Sequence, residues 1–288
     1  MNDQAESLRR LMDNKNGMCD TKVISVISGK GGVGKSNFSI NFSLGLSRAG
    51  FRVLLFDLDI GMANVDILMG MTSKYNIVDM IENELTIWDI IEKGPGNVSF
   101  ISGGSGFSQL FKLSERKLER FVTQLETLKQ HYDYIIFDMG AGISEDSLQF
   151  ILSGNEAIMV TTPEPTSITD AYAMLKYINN QVITIKCSLI VNRTETEKEG
   201  KVTGENFQRV VKQFLQKEIT YLGSIPNDNT VKKAVRSQLP FLLLDPKAKS
   251  SRAVELIVQE FIGEQREQKS NSDFNLFVQR IKSFFSLK

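Results

Sequence analysis

The sequence predicts an α/β fold: a single doubly wound, mostly parallel sheet with helices on both faces, followed by a C-terminal amphipathic helix. Seven short β-branched runs alternate with amphipathic stretches from Lys22 onward, the order expected when strands and helices interleave. Several of the runs are apolar without alternation, as strands covered on both faces are. A length of 288 residues permits one large domain of this kind.

The strand candidates, in order, are VISVIS at 23–28, RVLLFD at 52–57, NVSFIS at 97–102, YIIFDM at 134–139, AIMVTT at 157–162, CSLIVN at 187–192 and ITYLGS at 219–224. Helical spacing of apolar residues occupies 36–49, 114–130, 167–180, 204–217 and 248–262. No internal repeat interrupts this region. The polar run GEQREQKSNS at 263–272 breaks the periodicity and reads as a linker. The expected organisation is therefore an extension at 1–20, a nucleotide-binding domain at 21–262, the linker, and a terminal helix at 273–288.

Composition removes several classes of function. With 34 Lys+Arg against 34 Asp+Glu the chain is neutral, which argues against a globally basic nucleic-acid binder, and no nucleic acid is expected as a partner. An apolar content of 41% is too high for wholesale disorder. Cys19 and Cys187 are too far apart for a paired-thiolate motif, and His131 is the single histidine, so His and Cys alone assemble no zinc cage. No apolar run is long enough to span a bilayer, and the first 20 residues lack the apolar stretch of a signal peptide. A cytoplasmic protein is expected.

Gly29-Lys30-Gly31-Gly32-Val33-Gly34-Lys35-Ser36 satisfies G-x-x-x-x-G-K-[ST], directly after a strand candidate and opening a helix candidate. In such a loop the glycines let successive backbone N–H groups point at phosphate oxygens, and the helix adds its positive N-terminal end. Lys35 is expected to reach the β- and γ-phosphates and the Ser36 hydroxyl to ligate Mg²⁺. A glycine-rich turn without a ligand is the alternative. Strand alternation places Asp57 and Asp59 on one side of the backbone at the C-terminal end of their strand, where open α/β sheets bind ligands. YIIFDM ends an apolar run in Asp138, the form of a Walker B motif, so Asp138 is expected to hold Mg²⁺ through water.

The second lysine, Lys30, makes this loop the deviant Walker A form, and the sequence from about 22 to 262 resembles the MinD/ParA ATPases. The resemblance implies ATP/ADP and Mg²⁺ as ligands and an ATP-sandwich homodimer in which Lys30 reaches the partner's phosphates, an arginine-finger role in trans. It implies that Asp59 orients the attacking water, that Asp57 lies near the metal and Lys35, and that Asp138-Met139-Gly140-Ala141-Gly142 forms the second switch. No glutamate follows Asp138, so slow basal hydrolysis is expected. Asn192 and Pro226 match the places that border adenine in the family, and Asp170, in the run from Thr162 to Asp170, is expected to pair with Lys30 without nucleotide. Branches of the family that carry iron–sulfur clusters need cysteine pairs, which this chain lacks.

The two ends carry the remaining information. On a helical wheel Phe274, Phe277, Val278, Ile281, Phe284 and Phe285 form one apolar stripe flanked by Arg280 and Lys282. The segment has three basic residues and no acidic one, and is too short to span a membrane, so it is expected to lie on anionic phospholipid; docking on the protein's own core is the other outcome. The expected location is peripheral, on the inner face of the cell membrane. Asp3-Gln4-Ala5-Glu6-Ser7-Leu8-Arg9 resembles the D-Q-A-x-x-L-R stretch of flagellar MinD-like proteins. That resemblance implies that Asp3, Gln4, Ala5, Leu8 and Arg9 stimulate the GTPase FlhF, and that flagellar switch-complex (C-ring) proteins are further partners. A septum-site MinD-type division regulator and a ParA-type DNA-partitioning ATPase are the competing readings.

Overall fold

The computed structural model describes residues 21–59, 64–103, 115–267 and 274–286. Among them, eight strands form one sheet: β1 (Lys22–Ile27), β2 (Val53–Leu58), β3 (Glu92–Lys93), β4 (Ser99–Ile101), β5 (Tyr134–Met139), β6 (Glu156–Thr161), β7 (Lys186–Thr194) and β8 (Thr220–Pro226). Their spatial order is β3-β4-β2-β5-β1-β6-β7-β8, and every pairing is parallel except β3 with β4. All seven strand candidates are present; the additional two-residue β3 carries no hydrophobic pattern. β1 lies centrally between β5 and β6, so the loop that follows it emerges where the strand order changes direction, the usual ligand edge of such sheets.

Alternate side chains of the central strands enter different cores. Val23 and Ile27 of β1 belong to one, Ile24 and Val26 to the other. The second core is closed by α1 (Lys35–Arg48), α2 (Val65–Leu68), α9 (Asn229–Ser237), α10 (Phe241–Leu244) and α11 (Lys249–Glu267). The first is closed by α3 (Ile77–Glu82), α4 (Ile87–Ile90), α5 (Glu115–Glu126), α6 (Glu145–Ser153), α7 (Pro165–Asn179), α8 (Glu197–Leu215) and α12 (Phe274–Ser286). α8 begins seven residues before the sequence-based boundary because the Thr196 side chain accepts a hydrogen bond from the Glu199 amide and caps it. α6 was not expected from periodicity; Ser144 and Ser147 start it with a capping box.

One expectation about the C-terminal region needs correction, and one that the sequence leaves open is answered. The run at 263–272 is not wholly a linker: α11 continues through Gly263 to Glu267. Its last turns are held by side chains of the sheet. The Gln265 amide donates to Glu156 at 2.8 Å and accepts from Lys22, while Lys186 bonds Glu264 at 3.0 Å. Glu156 is buried and also accepts from Ser188, and its burial raises its pKa from the usual carboxylate range.

α12 is not a free amphipathic helix in this structure. It docks on α5, α6 and β1, and Phe274, Phe277, Val278 and Ile281 are buried. The Phe277 ring lies 5.8 Å from that of Phe137, and Phe284 is partly buried against the same core. Arg280 donates to the Leu152 carbonyl at 3.2 Å, and Lys282 pairs with Glu126 at 2.8 Å. The side chain of Phe285 lies outside the described residues. No described helix is long and apolar enough to cross a membrane.

Ile281→Ala is expected to destabilise the protein by about 2 kcal/mol or more, unless the helix undocks first and caps the loss at its docking free energy. Truncation of the fully exposed Val182 should stay within about 0.5 kcal/mol. Urea denaturation of both variants checks this, and no shift for Ile281→Ala would mean that α12 is not packed.

Candidate functional site

The loop between β1 and α1 is shaped by glycine at the positions where a side chain does not fit. Gly34 has φ 93°, in the left-handed region, and a Cβ there would sit 2.3 Å from the Asn192 side-chain nitrogen. A Cβ on Gly29 would overlap the backbone of Asp170 at 2.3 Å, so the loop is pressed against α7. α1 begins without a side-chain cap and without an acidic residue in its first turn, which leaves its N–H groups and positive end for an anion. Ser36 stands in that first turn and is half-buried.

Lys35 is buried and its ammonium lies 2.9 Å from Asp138 Oδ1, which also accepts from Ser39 at 2.8 Å. Asp138 Oδ2 is buried with no hydrogen-bond partner. Parallel register sets Asp57 of β2 directly beside Asp138 of β5. Asp57 accepts backbone N–H bonds from Asp59, Asn64 and Val65. Those bonds favour its charged form, yet burial and the neighbouring Asp138 outweigh them and raise its pKa from 3.8 to about 7. A crowded carboxylate pair with one orphaned oxygen, beside a serine at a helix N-terminus, fits a hard divalent cation such as Mg²⁺. Such an ion takes one or two carboxylates and completes its shell with phosphate and water.

The segment 140–142 lies against the loop. The Gly142 amide donates to the Ser28 carbonyl at 2.9 Å, a Cβ on Gly31 would touch Ala141, and one on Gly140 would meet Asp59 Oδ1 at 3.5 Å. Asp59 is thus beside Gly140. Val33 is buried and its carbonyl accepts from Asn192 at 2.7 Å. Gly34, Asn192 and Pro226 line one open cleft of about 880 Å³, together with Phe38, Thr162, Arg193, Lys232 and Arg236. The sequence-based site residues within the described chain, Gly29 to Ser36, Asp57, Asp59, Asp138, Asn192 and Pro226, converge on this edge of the sheet. Asp3, Gln4, Ala5, Leu8, Arg9 and Cys19 lie outside the described residues.

One expectation fails here. Lys30 does not pair with Asp170: its ammonium lies 3.1 Å from Glu164 and 3.1 Å from Thr166, at the start of α7. The reason is spatial, because the Asp170 backbone is used to pack Gly29 one and a half turns further along that helix. Ser39 and Glu164 were missed from sequence. Ser39 follows Lys35 by one helical turn, a spacing that identifies it only once Lys35 is known to face Asp138.

A glycine loop after the central strand, a buried lysine on a strand-end aspartate and a helix N-terminus facing a cleft define a P-loop nucleotide-binding protein. The family profile of ParA, described as NUBPL iron-transfer P-loop NTPase, matches residues 20–262. The antiactivator FleN of Pseudomonas aeruginosa is 33% identical over 94% of this chain and 96% of its own. The flagellum site-determining protein YlxH of Helicobacter pylori is 36% identical over 89% of each. Among solved structures, the septum site-determining protein MinD of Pyrococcus horikoshii, complexed with Mg-ADP, superposes with a TM-score of 0.70 at 27% identity, covering 87% of this chain and 100% of its own. The chain belongs to the ParA/MinD family of P-loop ATPases. Among the described residues the one cysteine, Cys187, is buried, and that burial pushes its pKa up to about 11.

The raised pKa of Asp57 has a sign in stability. The folded state holds a proton up to about pH 7 that the unfolded chain releases near 3.8, so the contribution is complete below pH 4 and lost as pH rises through 7. Without nucleotide and Mg²⁺, urea-unfolding stability should fall between about pH 4 and 7, by roughly 4 kcal/mol at most. Asp57→Asn should flatten that slope; an unchanged slope in the variant would assign it elsewhere.

Proposed function

We propose that this protein is an ATP-driven dimerisation switch that regulates flagellar number or placement and attaches to the inner membrane surface as an ATP dimer. The observation that carries the proposal is the divergence of the two loop lysines. Lys35 is buried on Asp138, whereas the Lys30 side chain is 39% exposed and is held at the surface by Glu164 and Thr166. An exposed loop cation, held by weak surface contacts, is placed to be handed to the phosphates of a second chain. The flagellar assignment is supported by the names of FleN and YlxH, which align over nearly the whole chain.

In this reading the glycine loop and Lys35 hold phosphates, Ser36, Asp57 and Asp138 hold Mg²⁺, Asp59 orients water, and Asn192 and Pro226 border adenine. When bound, Mg²⁺ would neutralise charge on the β- and γ-phosphate oxygens. ATP must displace Lys35 from its ion pair with Asp138, freeing both groups for phosphate and metal. Met139, not a glutamate, follows Asp138, so the strong base of a Walker B motif is missing and hydrolysis is slow. The tail's membrane-facing residues, Phe274, Phe277, Val278 and Ile281, are the ones buried in the docked helix, so lipid binding requires α12 to leave its groove. Arg280 and Lys282 then face headgroups in place of Leu152 and Glu126. Two tails per dimer supply the avidity that one short helix lacks.

Co-sedimentation with anionic vesicles should show several-fold more protein pelleted with ATP than with ADP. Lys30→Ala should remove the difference, and Phe284→Asp should abolish pelleting while ATP binding persists. Equal pelleting with both nucleotides would sink the switch. A peptide of residues 1–20 should stimulate the GTPase activity of an FlhF-type partner, and the Gln4→Ala peptide should not; equal rates with and without peptide would remove that partner.

A further inference from the structure

At the end of the sheet opposite the nucleotide cleft lies a second hollow, of about 440 Å³, lined by Phe51, Arg52, Trp88, Asn97, His131 and Tyr132. The only tryptophan of the chain stands on its wall: Trp88 is 42% exposed and its ring packs edge-on against His131 at 4.7 Å. The half-exposed indole, Phe51 and Tyr132 stand there beside polar Ser47, Asn97, Ser99 and His131, so the hollow has a mixed lining that suits a segment carrying a few apolar side chains among polar ones. We propose that its occupant is the chain's own N-terminal extension, residues 1–20.

The path of the chain argues for this occupant. Thr21 is fully buried, and its hydroxyl donates to the Tyr132 carbonyl and accepts from the Gln130 amide. The Lys22 amide donates to the Asp133 carbonyl at 3.0 Å. The extension therefore joins the fold at the 130–133 segment, whose His131 and Tyr132 form one wall of the hollow. From β1 the hollow is about two strand spacings away, roughly 10 Å, across the start of β5.

The extension has both the reach and the chemistry. Met18 precedes Thr21 by three residues, and Met12 by nine, roughly 30 Å if extended and 13 Å if helical. Leu8, Leu11 and Met12 stand at i, i+3 and i+4, a spacing that would share one face of a helical turn, in a mostly polar stretch whose other apolar residues are Met1, Ala5, Met18 and Cys19. Unbranched thioethers adapt to irregular apolar hollows and pack well on aromatic rings. Docking would cover the same face that presents Gln4 and Arg9, so the hollow would compete with the GTPase partner. That consequence rests on the proposed function; the docking itself does not.

Trp88 reports the occupancy. In the full-length chain acrylamide should quench its fluorescence at least two-fold less efficiently than in the Leu8→Asp/Leu11→Asp variant. Equal quenching in the two proteins overturns the proposal. As an independent check, Leu11→Cys with Asn97→Cys, in a Cys19→Ser background, should form a reducible disulfide within one chain at dilute concentration. Disulfides formed only between chains would assign the hollow to a second copy's extension, and no disulfide at all would also overturn the proposal.

Discussion

The site depends on two carboxylates being forced together where neither is well solvated. Because β2 and β5 run parallel in register, Asp57 and Asp138 lie side by side at the buried end of adjacent strands, and Lys35 supplies a cation between the loop and the sheet. Burial first, and then the like charge of Asp138, push the Asp57 carboxyl up to about 7. Such a pair is stable only while something positive is near it. In the nucleotide-free chain that partner is the lysine of the phosphate loop. The geometry therefore couples phosphate and divalent cation: each relieves a strain the other would leave.

The same strand connects the site to the far face. Phe137 precedes Asp138, and its side chain points into the core where α12 docks, touching Phe150 of α6 and Phe277 of the tail. α6 starts three residues after Gly142 and ends at Leu152–Ser153, where Arg280 donates to the Leu152 carbonyl. The tail is thus packed on the helix that continues the loop beside the nucleotide. Its hold is made mostly of buried aromatic surface, supplemented by partly exposed polar contacts that contribute little.

Much of this was legible in the sequence. The loop, the strand-terminal aspartates and the order of the strands follow from local pattern, because a buried parallel strand and a phosphate loop impose their composition on contiguous residues. The losses are tertiary. The polar residues Glu264 and Gln265 read as linker because nothing local shows that Lys186, Lys22 and Glu156 wait for them at the base of the sheet. The stripe of Phe274, Phe277, Val278 and Ile281 has the same spacing whether it meets lipid or protein, so periodicity alone leaves the partner open. Glu164 in place of Asp170 beside Lys30 depends on how α7 packs on Gly29, a contact between backbones that leaves no signature in side-chain type.

The clamp on the end of α11 sets a kinetic and thermodynamic condition on the tail. Six residues, 268–273, join the anchored end at Glu267 to Phe274. An undocked helix on so short a tether stays at an effective concentration of the order of millimolar near its own groove. Any competing surface must overcome that local concentration, whatever the number of protein copies in the cell. Occupancy of the groove is then independent of expression level.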